Sequence, residues 1–180
     1  MSGPVLFIST SLLVESWRAL RDGAREGVES TVRWAGPACL RRGDVHVVTT
    51  VVNPIQRVSR GSFEIPHDGT RAMGEALSSH GLMNFAQLHT HPATWVGHSP
   101  WDNARAYSSR DHALSIVWPN YGAQLPALGD WGVHERQAGE WRSLSPTVAA
   151  QRIHIIPDIL KLRGPLNIVD DFEDNDVNIF

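Results

Sequence analysis

Between residues 89 and 102 the chain reads His-Thr-His-Pro-Ala-Thr-Trp-Val-Gly-His-Ser-Pro-Trp-Asp. His89 and His91 are separated by one residue, and seven residues intervene between His91 and the Ser-x-x-Asp group of Ser99 and Asp102. The preceding run, Met83 to Leu88, alternates roughly between apolar and polar residues, the pattern of a strand. Side chains at i and i+2 of a strand share a face, so the two imidazoles project together. Pro92 has no N–H to donate and ends the ladder. Ser99 is a good helix N-cap, Pro100 suits the first helical position, and Asp102 falls in the first turn. A strand end set against a helix start can bring two nitrogens and one carboxylate oxygen to a point. With a water molecule, that donor set makes the four-coordinate open site of a hydrolytic zinc centre.

Taken together, these residues resemble the signature of the JAMM (JAB1/MPN/Mov34) metalloprotease family, and the resemblance spans roughly residues 5–144. The signature also asks for an upstream glutamate, for which Glu15, Glu26, Glu29, Glu64 and Glu75 are the candidates. In the family this glutamate follows the first helix and begins a strand that reaches a glycine seven residues later. The run from Glu29 to Gly36 has that form. The resemblance implies that His89, His91 and Asp102 hold Zn²⁺, that Glu29 is the general base for zinc-activated water, and that Ser99 donates to the oxyanion. Ser99 serves equally well as a helix cap, and the two roles are compatible.

What the resemblance implies about function is an (iso)peptidase that cuts after the C-terminal glycine of a ubiquitin-like protein, removing the modifier or maturing its precursor. A compact chain without zinc fingers looks most like prokaryotic JAB proteins. Several of those sit with ubiquitin-like conjugation systems, antiviral ones included, and others trim sulfur-carrier proteins. The expected partners are therefore a ubiquitin-like protein or its conjugates, with activating-like and conjugating-like enzymes of the same system. A Gly-Gly tail would lie in a narrow groove as an added strand, lined by residues 61–81 and 119–129. The competing classes are a non-catalytic scaffold of the same fold and a zinc nucleoside deaminase. The latter needs Pro-Cys-x-x-Cys, which the lone Cys39 cannot supply.

His98 reads as an exposed loop histidine or one that supports a ligand. His67, His80, His112, His134 and His154 carry no ligand spacing, and nothing in the sequence requires a role for Asp111. A net charge of -3 gives no general pull toward nucleic acid or anionic membrane. The short apolar run through Ile8 cannot span a bilayer and lacks the flank of a secretory signal. With a single cysteine, a reducing cytoplasm is the expected compartment.

A chain of 180 residues, 42% hydrophobic and 19% charged, fits one soluble α/β sandwich in which helices flank a mixed sheet. Strands are expected at Val5–Ile8, Glu29–Ala35, Asp44–Val52 (a central one), Ile55–Phe63, Met83–His91 and Ala113–Trp118. A hairpin is expected about Ala138-Gly139. Helices are expected after Ser9, from Asp68 or Thr70 to Ser79, from Pro100 to about Tyr107, and after Ser145. The last would carry Val148, Ile153 and Ile156 on one side. The expected division is a metalloprotease domain over 1–145 and a C-terminal helix with an acidic tail over 146–180. The tail reads as solvated, with docking on its own domain, a symmetry mate or a partner as the competing idea. Most tryptophans belong in the core, while Trp95 and Trp101 should wall the cleft.

Overall fold

The computed structural model describes residues 3–38, 45–104 and 107–158. Strand β1 (Val5–Ser9) runs straight into helix α1 (Thr10–Glu26). The Ser9 hydroxyl accepts from Leu12 N, and Gly27 closes the helix at φ 65°, a left-handed conformation free of strain only for glycine. There follow β2 (Thr31–Pro37), β3 (Val45–Val47), β4 (Thr50–Val52), β5 (Arg57–Ser59) and β6 (Ser62–Glu64). Helix α2 (His67–Ser79) leads to β7 (Leu82–Thr90), then α3 (Pro100–Ala104) and β8 (Leu114–Trp118). The described chain closes with β9 (Gly132–Gln137), β10 (Glu140–Ser143), α4 (Pro146–Arg152) and β11 (Ile153–Ile156).

The main sheet has six strands in the order β10-β9-β8-β7-β2-β4, and only β7 and β8 run parallel. It is a mixed sheet flanked by helices, as expected. Strand β2 sorts its side chains by alternation. Val32 and Trp34 go to the side of α1, where Trp34 Nε1 donates to Ser16 Oγ at 2.8 Å. Thr31 and Arg33 go to the other face. The α1 side is the core: Leu20, Val32, Trp34, Leu88, Ile116 and Trp118 all have 0% exposure. Each such side chain contributes about 1.5–3 kcal/mol on burial. Trp131 packs edge-on against Trp34 and tilted against Trp118.

The segment expected as one central strand over Asp44–Val52 is instead two short strands in different sheets. β3 pairs with β1, while β4 is the edge strand beside β2. The switch falls at Val48-Thr49, where Val48 N donates to Phe7 O and Thr49 N to Ala35 O. Gly36 permits the crossing, because a Cβ there would lie 2.1 Å from Val47 O. Apolar, β-branched composition could not reveal this change of partner. The expected strand over 55–63 is the β5–β6 hairpin.

The C-terminal helix also departs from expectation. Ser145 caps α4 and Pro146 starts it, but it ends at Arg152. The β-branched run that follows pairs in parallel with β1, Leu6 opposite Ile153. Ile153 and Ile156 therefore belong to a three-stranded sheet, β11-β1-β3. The acidic tail lies outside the described residues. Among the described residues, no helix is long and apolar enough to cross a membrane.

Candidate metal centre

A parallel pair cannot be closed by a tight turn, so the chain leaving β7 must loop out and return to start β8. The loop after Thr90 and helix α3 make that return, and side chains gather at the carboxyl end of β7. In open α/β sheets this is where ligand sites form. His91 is fixed just past the strand by His91 N donating to Trp118 O at 2.9 Å.

His89, His91 and Asp102 meet there, one ligand atom from each lying within 4.8 Å of the others. Nε2 of His89 is 3.6 Å from one Asp102 oxygen, and Nε2 of His91 is 3.4 Å from the other. Both histidines are buried, at 0% and 4% exposure. His89 Nε2 has no hydrogen-bond partner despite its burial, which is how a donor atom awaiting a cation looks. Nδ1 of His91 meets the Trp95 carbonyl at 3.2 Å. The ring thus donates from Nδ1 and keeps its Nε2 lone pair for a metal. Gln87, two residues before His89 and on the same face, places its amide 3.3 Å from His89 Nδ1. The amide atom nearest the ring is Nε2; exchanging it with Oε1 would give that otherwise unpartnered oxygen a donor in Nδ1–H and leave His89 Nε2 free for a metal. Two neutral imidazoles and one carboxylate are a donor set that suits zinc.

Charge follows the same geometry. Burial drives the His89 pKa well below its ordinary value, so the ring is neutral near pH 7. Burial alone would raise Asp102, but the adjacent His91 and His89 rings and hydrogen bonds from Ser99 hold it far below the carboxylate range. For His91, burial pulls down while Asp102, Glu29 and the Trp95 carbonyl together pull up, for a net rise; a metal on Nε2 would displace that proton.

Glu29, at the entry to β2, is 5% exposed and shares a cavity with Asp102. Burial lifts its carboxyl to about 7, with His91 opposing and Asp102 adding to the rise. Ser99 forms a reciprocal cap: its N and Oγ donate to Asp102 Oδ2, each at 2.7 Å, and its Oγ accepts from Asp102 N at 3.1 Å. All five sequence-predicted residues therefore gather in one place. His98 sits beside them, but Nδ1 faces Asn103 and Nε2 faces Ser115 Oγ. Its ring stacks on His134 at 3.9 Å, and burial lowers its pKa to about 4. Both nitrogens are engaged, which makes His98 a support rather than a donor.

Trp95 stacks on His91 at 5.2 Å and Trp101 lines the cavity, and both are about half exposed, as cleft walls should be. The two stretches expected to border a groove each border a cavity. One, of about 300 Å³, takes in residues 62–65, Thr70 and Met73. The other, of about 870 Å³, takes in residues 123–127 and the loop at 94–97. Sequence reasoning missed Gln87 and Arg33. The i−2 spacing from His89 was a readable signal for Gln87. Arg33 became visible only once β2 was paired to β7 with Arg33 opposite Gln87.

No protein-family model and no curated protein matches this chain. Solved structures do. Protein DSY2949 from Desulfitobacterium hafniense is similar over 86% of this chain and 95% of its own, with a TM-score of 0.63 and 15% identity. AF2198, a JAB1/MPN domain protein from Archaeoglobus fulgidus, aligns over 79% of this chain and 98% of its own, with a TM-score of 0.44 and 17% identity. The first likeness establishes a shared fold. Neither speaks to chemistry.

Proposed function

We propose that this chain is a zinc-dependent peptidase of the JAMM type, cutting after the C-terminal glycine of a ubiquitin-like protein. The observation that carries the reading is the convergence of His89, His91 and Asp102, with an unpartnered His89 Nε2 and a buried Glu29 beside them. A zinc ion held by the three would polarise a carbonyl and lower the pKa of water to about 7.

The chain's own groups supply the rest. Glu29 takes the proton from the attacking water and delivers it to the leaving amine. A carboxyl near pKa 7 can do both. Asp102 stays ionised at working pH, and Ser99 keeps its carboxylate turned to the histidines. To serve a carbonyl oxygen as charge builds there, the role of an oxyanion donor, the Ser99 hydroxyl would turn its proton from Asp102 Oδ2 to the substrate. Trp95 screens His91 from solvent. The larger cavity, along residues 94–97, has room for the modifier's extended tail. In the cell the reaction would release a modifier or mature its precursor, alongside activating-like and conjugating-like enzymes.

The test is cleavage of C-terminally extended ubiquitin-like and sulfur-carrier fusions by zinc-loaded protein, read by intact mass. A cut directly after the terminal glycine, absent in Glu29→Ala, supports the proposal. Protein that binds zinc but cuts none of the panel refutes it for these modifier classes.

A further inference from the structure

The smaller cavity has a floor that this chemistry does not use. Arg33 reaches it from β2 and is only 4% exposed. Its guanidinium lies 5.0 Å over the Tyr107 ring, and Nη1 donates to Thr31 Oγ1 at 3.0 Å. Nε is buried with no hydrogen-bond partner, and among the described residues Arg33 forms no ion pair. A buried cation without a counter-ion is destabilising, and a guanidinium is not relieved by losing its proton. An anion arriving with the substrate would relieve it.

The cavity's position says which part of the substrate that is. Glu29 lines the same space, and Glu29 is the group that hands its proton to the departing amine. The fragment bearing that amine therefore lies on this side of the scissile bond. At about 300 Å³, walled by Phe63, Ile65, Met73 and Trp101, with the carboxyl groups of Glu29, Glu64 and Asp102 also on its lining, the space takes a residue or two and not a folded domain.

We infer, resting on the peptidase reading above, that this cavity receives the leaving-group residue and that Arg33 binds a carboxylate on it. The carboxylate is either the chain-terminal one or an acidic side chain of that residue. The forked guanidinium donors match a carboxylate in a way a single charge does not. The favoured substrate is then a linear extension with an acidic group directly after the cut glycine. A lysine isopeptide offers no carboxylate at that distance.

Two measurements test this. Metal-free protein is titrated with N-acetylalanine, N-acetylalaninamide and the α-amide of N-acetylglutamate, following tryptophan fluorescence. The terminal acid, the side-chain acid or both should bind about tenfold more tightly than the neutral amide, as one charge-assisted contact provides. Arg33→Met should erase the difference, and Arg33→Lys should keep part of it. Equal binding of acids and amide to wild-type protein overturns the inference, with no variant needed.

Zinc-loaded protein is then offered ubiquitin-like fusions ending Gly-Gly-Ala as the acid or the carboxamide, and Gly-Gly-Glu as the carboxamide. The acidic substrates should be favoured in kcat/KM by a similar factor, the two of them telling the carboxylate sources apart. Cleavage without discrimination defeats the carboxylate site and leaves the peptidase standing. Carboxylate binding without cleavage of any fusion defeats the peptidase and leaves the site.

Discussion

Replacing Arg152 by methionine should lower the melting temperature by far more than a single surface change. Arg152, the last residue of α4, holds Glu135 of β9 in an ion pair of 2.8 Å, with side-chain exposures of 6% and 3%. Its Nε also donates to Pro4 O at 2.8 Å, next to β1. One guanidinium thus joins α4, the start of β1 and the main sheet. Glu135 also meets His112 Nδ1 and the Gln137 amide, so Arg152→Met strands a buried carboxylate rather than freeing it. Removing one partner of a buried pair costs about 3–5 kcal/mol, and for a domain of this size each kcal/mol moves Tm by about 2–4 °C. The expected loss is roughly 6–20 °C by calorimetry near pH 7. Arg152→Met combined with Glu135→Leu should recover much of it, since a well-packed apolar pair often replaces a buried ion pair without loss. The pH dependence has a fixed sign. Burial would raise the Glu135 carboxyl, but hydrogen bonds from Arg152, Gln137 and His112 outweigh it, and its pKa falls below the ordinary 4.5. A depressed carboxyl contributes stability above its unfolded pKa and loses it as pH falls through the folded one. The gap in Tm between wild type and Arg152→Met should therefore narrow below about pH 4.5. A Tm within about 2 °C of wild type at pH 7, where about 6 °C is the least expected, would refute the reasoning.

Other outcomes follow from the site and its supports. Glu29→Gln should lower kcat by about 10²–10⁴ while leaving zinc content unchanged, measured by steady-state kinetics and metal analysis. Ser99→Ala should cost about 0.5–2 kcal/mol in denaturant titration through the lost cap of α3. The same variant should slow turnover by about 10²–10³ through the lost donor. Gly36→Ala drives a Cβ to 2.1 Å from Val47 O and 2.5 Å from the Phe85 ring. It should destabilise the fold by about 1–3 kcal/mol or more by chemical denaturation.

The site was legible because its signals are local. Period-2 spacing placed His89 and His91 on one face, and Ser-Pro-x-Asp announced a capped helix whose first turn carries the carboxylate. Glu29 was found through family likeness rather than through any rule of spacing. What escaped the sequence is what depends on partners distant along the chain. Val45–Val52 is one run of strand-forming residues, and nothing in it says that its two halves hydrogen-bond to different sheets. Ile153 and Ile156 continue a helical spacing that their β-branching and the open edge of β1 override. The role of Arg33 is a matter of register: it appears only once β2 and β7 are paired and the Tyr107 ring lies over it.

The most direct test of the metal centre is zinc stoichiometry. Purified protein is stripped with chelator, reloaded with limiting zinc, dialysed and assayed for metal by mass spectrometry. His91→Ala and Asp102→Ala are treated in parallel, with circular dichroism to confirm that they fold. One zinc per wild-type chain, lost in both folded variants, is the expected result. Wild-type protein that retains no zinc, or folded variants that retain a full equivalent, would contradict it.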